Sequence, residues 1–151
     1  MRSASEITVA IESILNSYPA LSNTTIERSV RVNMDPAIMP WCGVYPGRRD
    51  IDPATLGGCT RRWRSSPSPK LVLQEYGYDD EGQTASDALD ALIVNVLDAI
   101  SGEHNTGLNF GLDGVRLIGI SIEYTYVLTD EDEEGSIFFP QAEITLNLED
   151  R

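Results

Sequence analysis

The chain has 151 residues, 41% hydrophobic and 23% charged, which suits one globular domain, since domains cluster near roughly 100 to 150 residues, and argues against a multidomain machine. Eleven Lys and Arg against 24 Asp and Glu leave a formal charge of -13, beyond the magnitude of about 8 usual for a small domain, and a general affinity for nucleic acid does not fit that balance. No apolar run approaches the roughly 20 residues of a bilayer span, and the opening MRSASEITVA lacks the unbroken apolar core of a secretion signal, so the expectation is a soluble chain, cytoplasmic where it is made, with no membrane partner.

In chain order, Ser3 and Glu6 form a capping-box pair, and Ile7, Ile11, Ile14, Leu15 and Tyr18 recur at helical spacing until Pro19. This predicts a helix over about 4–17. Residues 25–32 alternate Ile26, Arg28, Val30 and Val32 with polar neighbours, a strand whose pattern is spoiled by Arg28 on the apolar phase. Residues 40–46, apolar and closed by Pro40 and Pro46, read as a short strand, because proline permits extended chain but not a helix running through it. A third strand begins at Leu71, Val72 and Leu73 and ends in the acidic turn 79–82. Thr84 and Asp87 open a second helix over about 85–101, with Leu89, Leu92, Ile93, Val96, Leu97 and Ile100 in one stripe and Gly102 just past its end. Asp87 and Asp90 are placed by this reading in its first turns, where the helix dipole favours carboxylates.

Residues 115–128 alternate Ile118, Ile120, Ile122, Tyr124 and Tyr126 against Leu117, Gly119, Ser121, Glu123 and Thr125, a long strand. Residues 136–148 return with Ala142, Ile144, Leu146 and Leu148 on one face and Pro140 at an edge or bulge. Between them Asp130, Glu131, Asp132, Glu133 and Glu134 run into Gly135, the tip of a hairpin. An EF-type calcium loop alternates its ligands and places glycine sixth, a spacing that is absent here; a solvated tip that resists edge pairing is the simpler reading.

The charge is unevenly spread. Residues 1–74 hold nine basic and six acidic side chains, and residues 75–151 hold two and 18. Six of the eleven cations, Arg48, Arg49, Arg61, Arg62, Arg64 and Lys70, lie within 48–70 among glycines and prolines. The stretch 47–69 therefore reads as an extended basic loop inside a single domain over 1–151, and loops of that length are binding elements or mobile insertions. Its arginines and Trp63 are residue types enriched at interface hot spots. Phe138 and Phe139, with Tyr124 and Tyr126, are candidates either for a contact with a partner or for the chain's own core.

Catalytic chemistry is hard to find. Cys42, Cys59 and His104 are too few and too scattered for a metal set or a disulfide framework, and read as core thiols and an ordinary histidine. Phosphate loops, dinucleotide fingerprints and nucleophile elbows are missing, and residues 107–114 form a glycine-spaced loop that neither follows a strand nor opens a helix. Glu75, Asp79, Asp80 and Glu81 could pair as acid and base, but a turn without an apolar pocket gives no reason for one pKa to rise, and solvated turn acids are expected. No catalytic residue, metal or cofactor is assigned. The fold expected is an α+β two-layer sandwich, an about five-stranded mixed sheet with two amphipathic helices on one face, the long basic loop and a C-terminal β-hairpin.

The opening helix SEITVAIESILNSYPAL, the proline-bounded MPWCGVYPG followed by a long polar insertion, the strand KLVLQEYGY, the helix SDALDALIVNVLDAI and the acidic-tipped hairpin together resemble the tail terminator, or tail completion, family of long-tailed bacteriophages. The resemblance spans nearly the whole chain and rests on order and character rather than on a catalytic signature. It implies a virion protein without turnover: a homohexameric ring at the tail-neck junction that caps the tail tube, ends its polymerisation and meets the head-tail connector. DNA would be a partner only in transit. On this view Arg48, Arg49, Arg61, Arg62, Trp63, Arg64, Phe138 and Phe139 face a neighbouring subunit or the tube. Some of Asp79, Asp80, Glu81, Asp130, Glu131, Asp132, Glu133 and Glu134 line the channel, where an acidic wall would not retain phosphates. The alternatives are another neck, head-closure or tube-related structural protein, and, of a different class, a small-molecule-binding α+β domain or enzyme.

Overall fold

A computed structural model describes residues 1–28, 35–56, 60–78, 82–132 and 135–150. The first helix, α1 (Ala4–Asn16), starts where its capping box says it should: Ser3 Oγ accepts from the Glu6 amide at 3.1 Å, and a Glu6 carboxylate oxygen accepts from the Ser3 amide at 2.7 Å. Ile7, Ile11 and Leu15 are buried, and a short 3-10 turn at Pro19–Leu21 follows. The second helix, α2 (Gly82–Ile100), begins about one turn earlier than its periodicity suggests. Asp87 therefore lies past the first turn, and its carboxylate accepts from Gln83 Nε2 at 3.0 Å instead of serving the helix dipole.

Among the described residues six strands form one sheet: β1 (Thr25–Arg28), β2 (Trp41–Leu56), β3 (Thr60–Gln74), β4 (Gly77–Tyr78), β5 (Val115–Asp132) and β6 (Gly135–Asp150). The spatial order is β1, β2, β3, β6, β5, with the two-residue β4 continuing the β3 side of β6, so five strands lie abreast. Among the described residues only β1 and β2 are parallel. Alternation sends Cys42, Val44, Leu71, Leu73, Ala142, Ile144, Leu146 and Leu148 to the side that both helices cover, and these join the helix stripes in one buried cluster. Each such leucine or isoleucine contributes about 1.5 to 3 kcal/mol by leaving water. The domain is thus an α+β sheet with two helices on one face, as expected.

The opposite face is partly closed by the chain itself. Trp41 is 0% exposed; its indole lies against Gly43, where an added Cβ would stand 2.4 Å from the ring, and its N–H donates to Glu27 at 2.7 Å. Gln74 and Gln141, paired across β3 and β6, are buried and bonded to each other at 3.3 Å. Arg28, out of phase in the sequence, reaches α1, where its guanidinium donates to Ser5 Oγ at 3.2 Å and its amide to Glu12 at 3.1 Å. The remainder of the stretch expected as a strand to residue 32 lies outside the described residues.

The extended basic loop over 47–69 is a correction: apart from 57–59, which lie outside the described residues, those residues belong to the β2–β3 hairpin. The two strands pair from Trp41↔Gln74 to Leu56↔Thr60, with a bulge at Pro46 and Gly47. Prolines that read as loop punctuation are tolerated because of where they fall. The pairing of β3 with β6 is interrupted between Ser65 and Lys70, where Pro67 and Pro69 have no N–H to donate, and resumes in the same register; Pro53 lies on the outer strand β2.

Gly47 has φ +63°, and a Cβ there would meet the Ser68 carbonyl oxygen at 2.0 Å. Gly47→Ala is expected to destabilise the protein by about 2 kcal/mol or more, read as a lower urea midpoint at an unchanged slope.

Candidate assembly surface

The β3–β6 ladder carries two long hairpins that leave the sheet at opposite ends. Beyond the Ser65↔Asp150 pair, β2 and β3 continue through five further pairs, Asp52↔Arg64 to Leu56↔Thr60, with no β6 partner. At about 3.3 Å per residue the arm projects roughly 17 Å. At the other end β5 and β6 run out to Asp132↔Gly135, beyond the last β4 pair at Tyr78↔Ile137. The arm bears Arg61, Arg62 and Arg64; the opposite hairpin bears Asp130, Glu131 and Asp132. One sheet thus separates a basic projection from an acidic one.

Register places Ile51, Pro53 and Trp63 on the same side of the arm, the side that faces the helices further down the sheet. Trp63 is 69% exposed and Ile51 47% exposed. Arg48 is exposed and holds Asp50 at 3.0 Å, while Arg49 is half-buried beside a cleft of about 180 Å³ that Ile7 and Pro69 also line. Arg64 is exposed, and the side chains of Arg61 and Arg62 lie outside what the structure describes.

A second apolar surface, one that sequence reading treated mainly as core, lies on β5. The helices cover β1, β2, β3 and β6, and β5 stands beyond them as an edge strand. Ile122 (36% exposed) and Tyr124 (56%), with Ile120, lie on the helix side in register with Ile144, Ala142 and Leu146, yet reach solvent. A bulge between Leu117 and Gly119 shifts the phase that simple alternation predicts: Leu117, opposite Leu148, packs against the core, and Ile118 turns out into solvent.

Of the two phenylalanines proposed as contacts, Phe139 is 1% exposed. It is corrected to the chain's own packing, because regular pairing with Val127 directs it to the same side as the buried Gln141. The side chains of Tyr126, Phe138, Asp130, Glu131 and Asp132 lie outside the described residues, as do Asp79, Asp80, Glu81, Glu133 and Glu134 altogether. The 101–114 segment is a loop, stitched by Asn105, which donates to the Ile100 carbonyl and accepts from the Phe110 amide, each at 2.7 Å. Neither the burial of Phe110 nor that of Asn105 was signalled by periodicity.

Titratable groups tell the same story of packing. Burial pushes the Cys42 thiol up to about 12, so it stays protonated and inert, and Cys59 lies outside the described residues. Among the described residues no three His, Cys, Asp or Glu side chains stand together as a metal set. Glu75 corrects the expectation of solvated turn acids: it is half-buried where β3 ends, its amide donates to the Pro140 carbonyl at 3.2 Å, and desolvation raises its pKa against an opposing hydrogen bond from Tyr76. Its acidic neighbours in sequence give no described partner, so a raised carboxyl alone defines no acid–base pair.

A carboxyl whose pKa is higher folded than unfolded favours the folded state most below its unfolded value. That contribution is lost as pH rises from near 4.3 through the folded value. Glu75→Gln is therefore expected to be more stable than the parent chain at pH 7, by an amount that shrinks toward pH 4, measured by urea denaturation at both pH values.

No family description and no curated protein matches this chain. Among solved structures, a chain of the "Virion of native gene transfer agent (GTA) particle" is similar over 95% of this chain and 94% of its own, at 16% identity and a TM-score of 0.49.

Proposed function

We propose that this chain is a structural virion protein of a long-tailed phage-like particle. In this reading it forms a homohexameric ring at the tail-neck junction, caps the tail tube, ends its growth and presents a face to the head-tail connector. The observation that carries the reading is the pair of oppositely charged hairpins leaving opposite ends of one sheet, on a chain that also exposes apolar side chains on the arm and on an edge strand. Unlike patches join copies head to tail, and such contacts close into rings when the rotation allows. The sequence resemblance to tail terminators supplies the place in the particle and the number of copies.

The function so described is carried by contact surfaces. The basic arm bridges to the next subunit or to the tube below, and some of the acids of the β5–β6 tip and of residues 79–81 line the channel wall, where they leave passing DNA unbound. Exposed ion pairs contribute about 0 to 1 kcal/mol each, so the arm's arginines act together.

Replacing Arg61, Arg62 and Arg64 together by Glu is expected to weaken ring association about tenfold or more, and to abolish the single ring at tube ends seen by electron microscopy of protein mixed with tail tubes. The mass of the parent protein by light scattering should rise with concentration to six copies. Unchanged capping by the triple variant would reject the arm's role, and a parent protein that neither oligomerises nor caps tubes would reject the ring.

A further inference from the structure

We infer that the arm of one copy joins the edge of the next by strand addition, the outer edge of β2 beyond its bulge pairing with the outer edge of β5. This rests on the ring reading above and names the surface through which the ring closes. Among the described residues, β1 pairs only with Trp41, Cys42, Gly43 and Val44 of β2, and no described strand pairs with the outer edge of β2 from Arg48 onward; on β5 the Leu117 amide is held by the Leu108 carbonyl at 2.9 Å, and beyond the bulge, from Gly119 on, no described strand but β6 pairs with β5. Two rows of unpaired backbone donors and acceptors on one chain satisfy each other when copies meet side by side.

Side chains select the same arrangement. Strand addition keeps the two sheets facing the same way, so groups on the helix side of one copy adjoin groups on the helix side of the next. On that side the arm exposes Ile51 and Trp63, and β5 exposes Ile122 and Tyr124. The junction would therefore continue one apolar surface across both copies. Alternating with these, on the other side of the sheet, are exposed Arg64 on the arm and exposed Glu123 on β5. The occupant is consequently a second copy through its arm. A second β5 strand would run antiparallel and set Glu123 against Glu123 near the middle of the contact, at a cost.

The head-to-tail character gives the test. Trp63→Asp spoils only the arm and Ile122→Asp only the β5 edge, and both residues are exposed, so at a concentration where the parent is a monomer each variant should keep the parent's unfolding midpoint. In sedimentation velocity at a concentration where the parent is a ring, each variant alone should be at least tenfold weaker in association and run as a monomer. An equimolar mixture should yield dimers and stop there, because each pair retains one intact arm and one intact edge. In the parent ring, outward-facing backbone amides of 48–56 and 119–125 should gain at least tenfold hydrogen-exchange protection over the monomer. Variants that assemble like the parent, a mixture that stays monomeric, or rings without that protection would overturn strand addition while leaving the ring itself standing. A parent protein that is monomeric at every concentration and on tubes would overturn the ring reading and this inference together.

Discussion

The antiparallel ladder between β3 and β6 is the constraint on which the molecule depends. Lys70 to Gln74 pair with Thr145 to Gln141, and the inward members of that register, Leu71, Leu73, Ala142 and Ile144, are the floor on which both helices rest. The same two strands are each one arm of a long hairpin. Because an antiparallel pair runs in opposite directions, the two hairpins must emerge from opposite ends of the sheet. A basic projection at one end and an acidic one at the other thus follow from the strand pairing.

Long edge strands invite uncontrolled pairing, and a folded protein exposing one needs a reason. The Ile120, Ile122 and Tyr124 row on β5 would be costly on a chain that worked alone, since each of these side chains reaches water. The bulge after Leu117 limits the hazard by breaking the regular edge near its start, and Ser121 and Glu123 keep the opposite face polar. The proposed assembly uses this surface as an address. A free energy from a few apolar contacts, backbone hydrogen bonds and collective charge is modest at each junction, and closure of a ring makes the last junction intramolecular, which strengthens the whole without new contacts.

How well the sequence could be read depended on how local the determining physics was. Both helices were legible because capping and the 3.6-residue stripe act within a few turns: Ser3 with Glu6, then Ile7, Ile11 and Leu15, locate α1 to a residue or two. The alternation of β5 and β6 and the glycine-closed acidic turn between them likewise marked a hairpin. The β2–β3 arm was read as a loop because its distal part stands clear of any core, so no buried face imposes an alternation. Its prolines interrupt the ladder to β6 only between Ser65 and Lys70, and the same register resumes on either side. The single-residue slip at Ile118, the reach of Arg28 to α1 and the burial of Trp41, Phe139 and Glu75 all depend on neighbours far away in the chain.

By itself, then, the amino-acid order determined the class of fold, the two helices with their apolar stripes, and the division into a basic-rich first half and an acidic second half, because composition and short-range periodicity are properties of contiguous residues. Only the tertiary structure decided that the basic segment is a projecting hairpin, that Phe139 is interior while Tyr124 and Trp63 are surface, and that the two charged projections lie at opposite ends of one sheet. Strand register is a long-range choice, settled by which pairing satisfies backbone hydrogen bonds while burying Leu71, Leu73, Ile144 and Leu146 beneath the helices, and no local pattern encodes it.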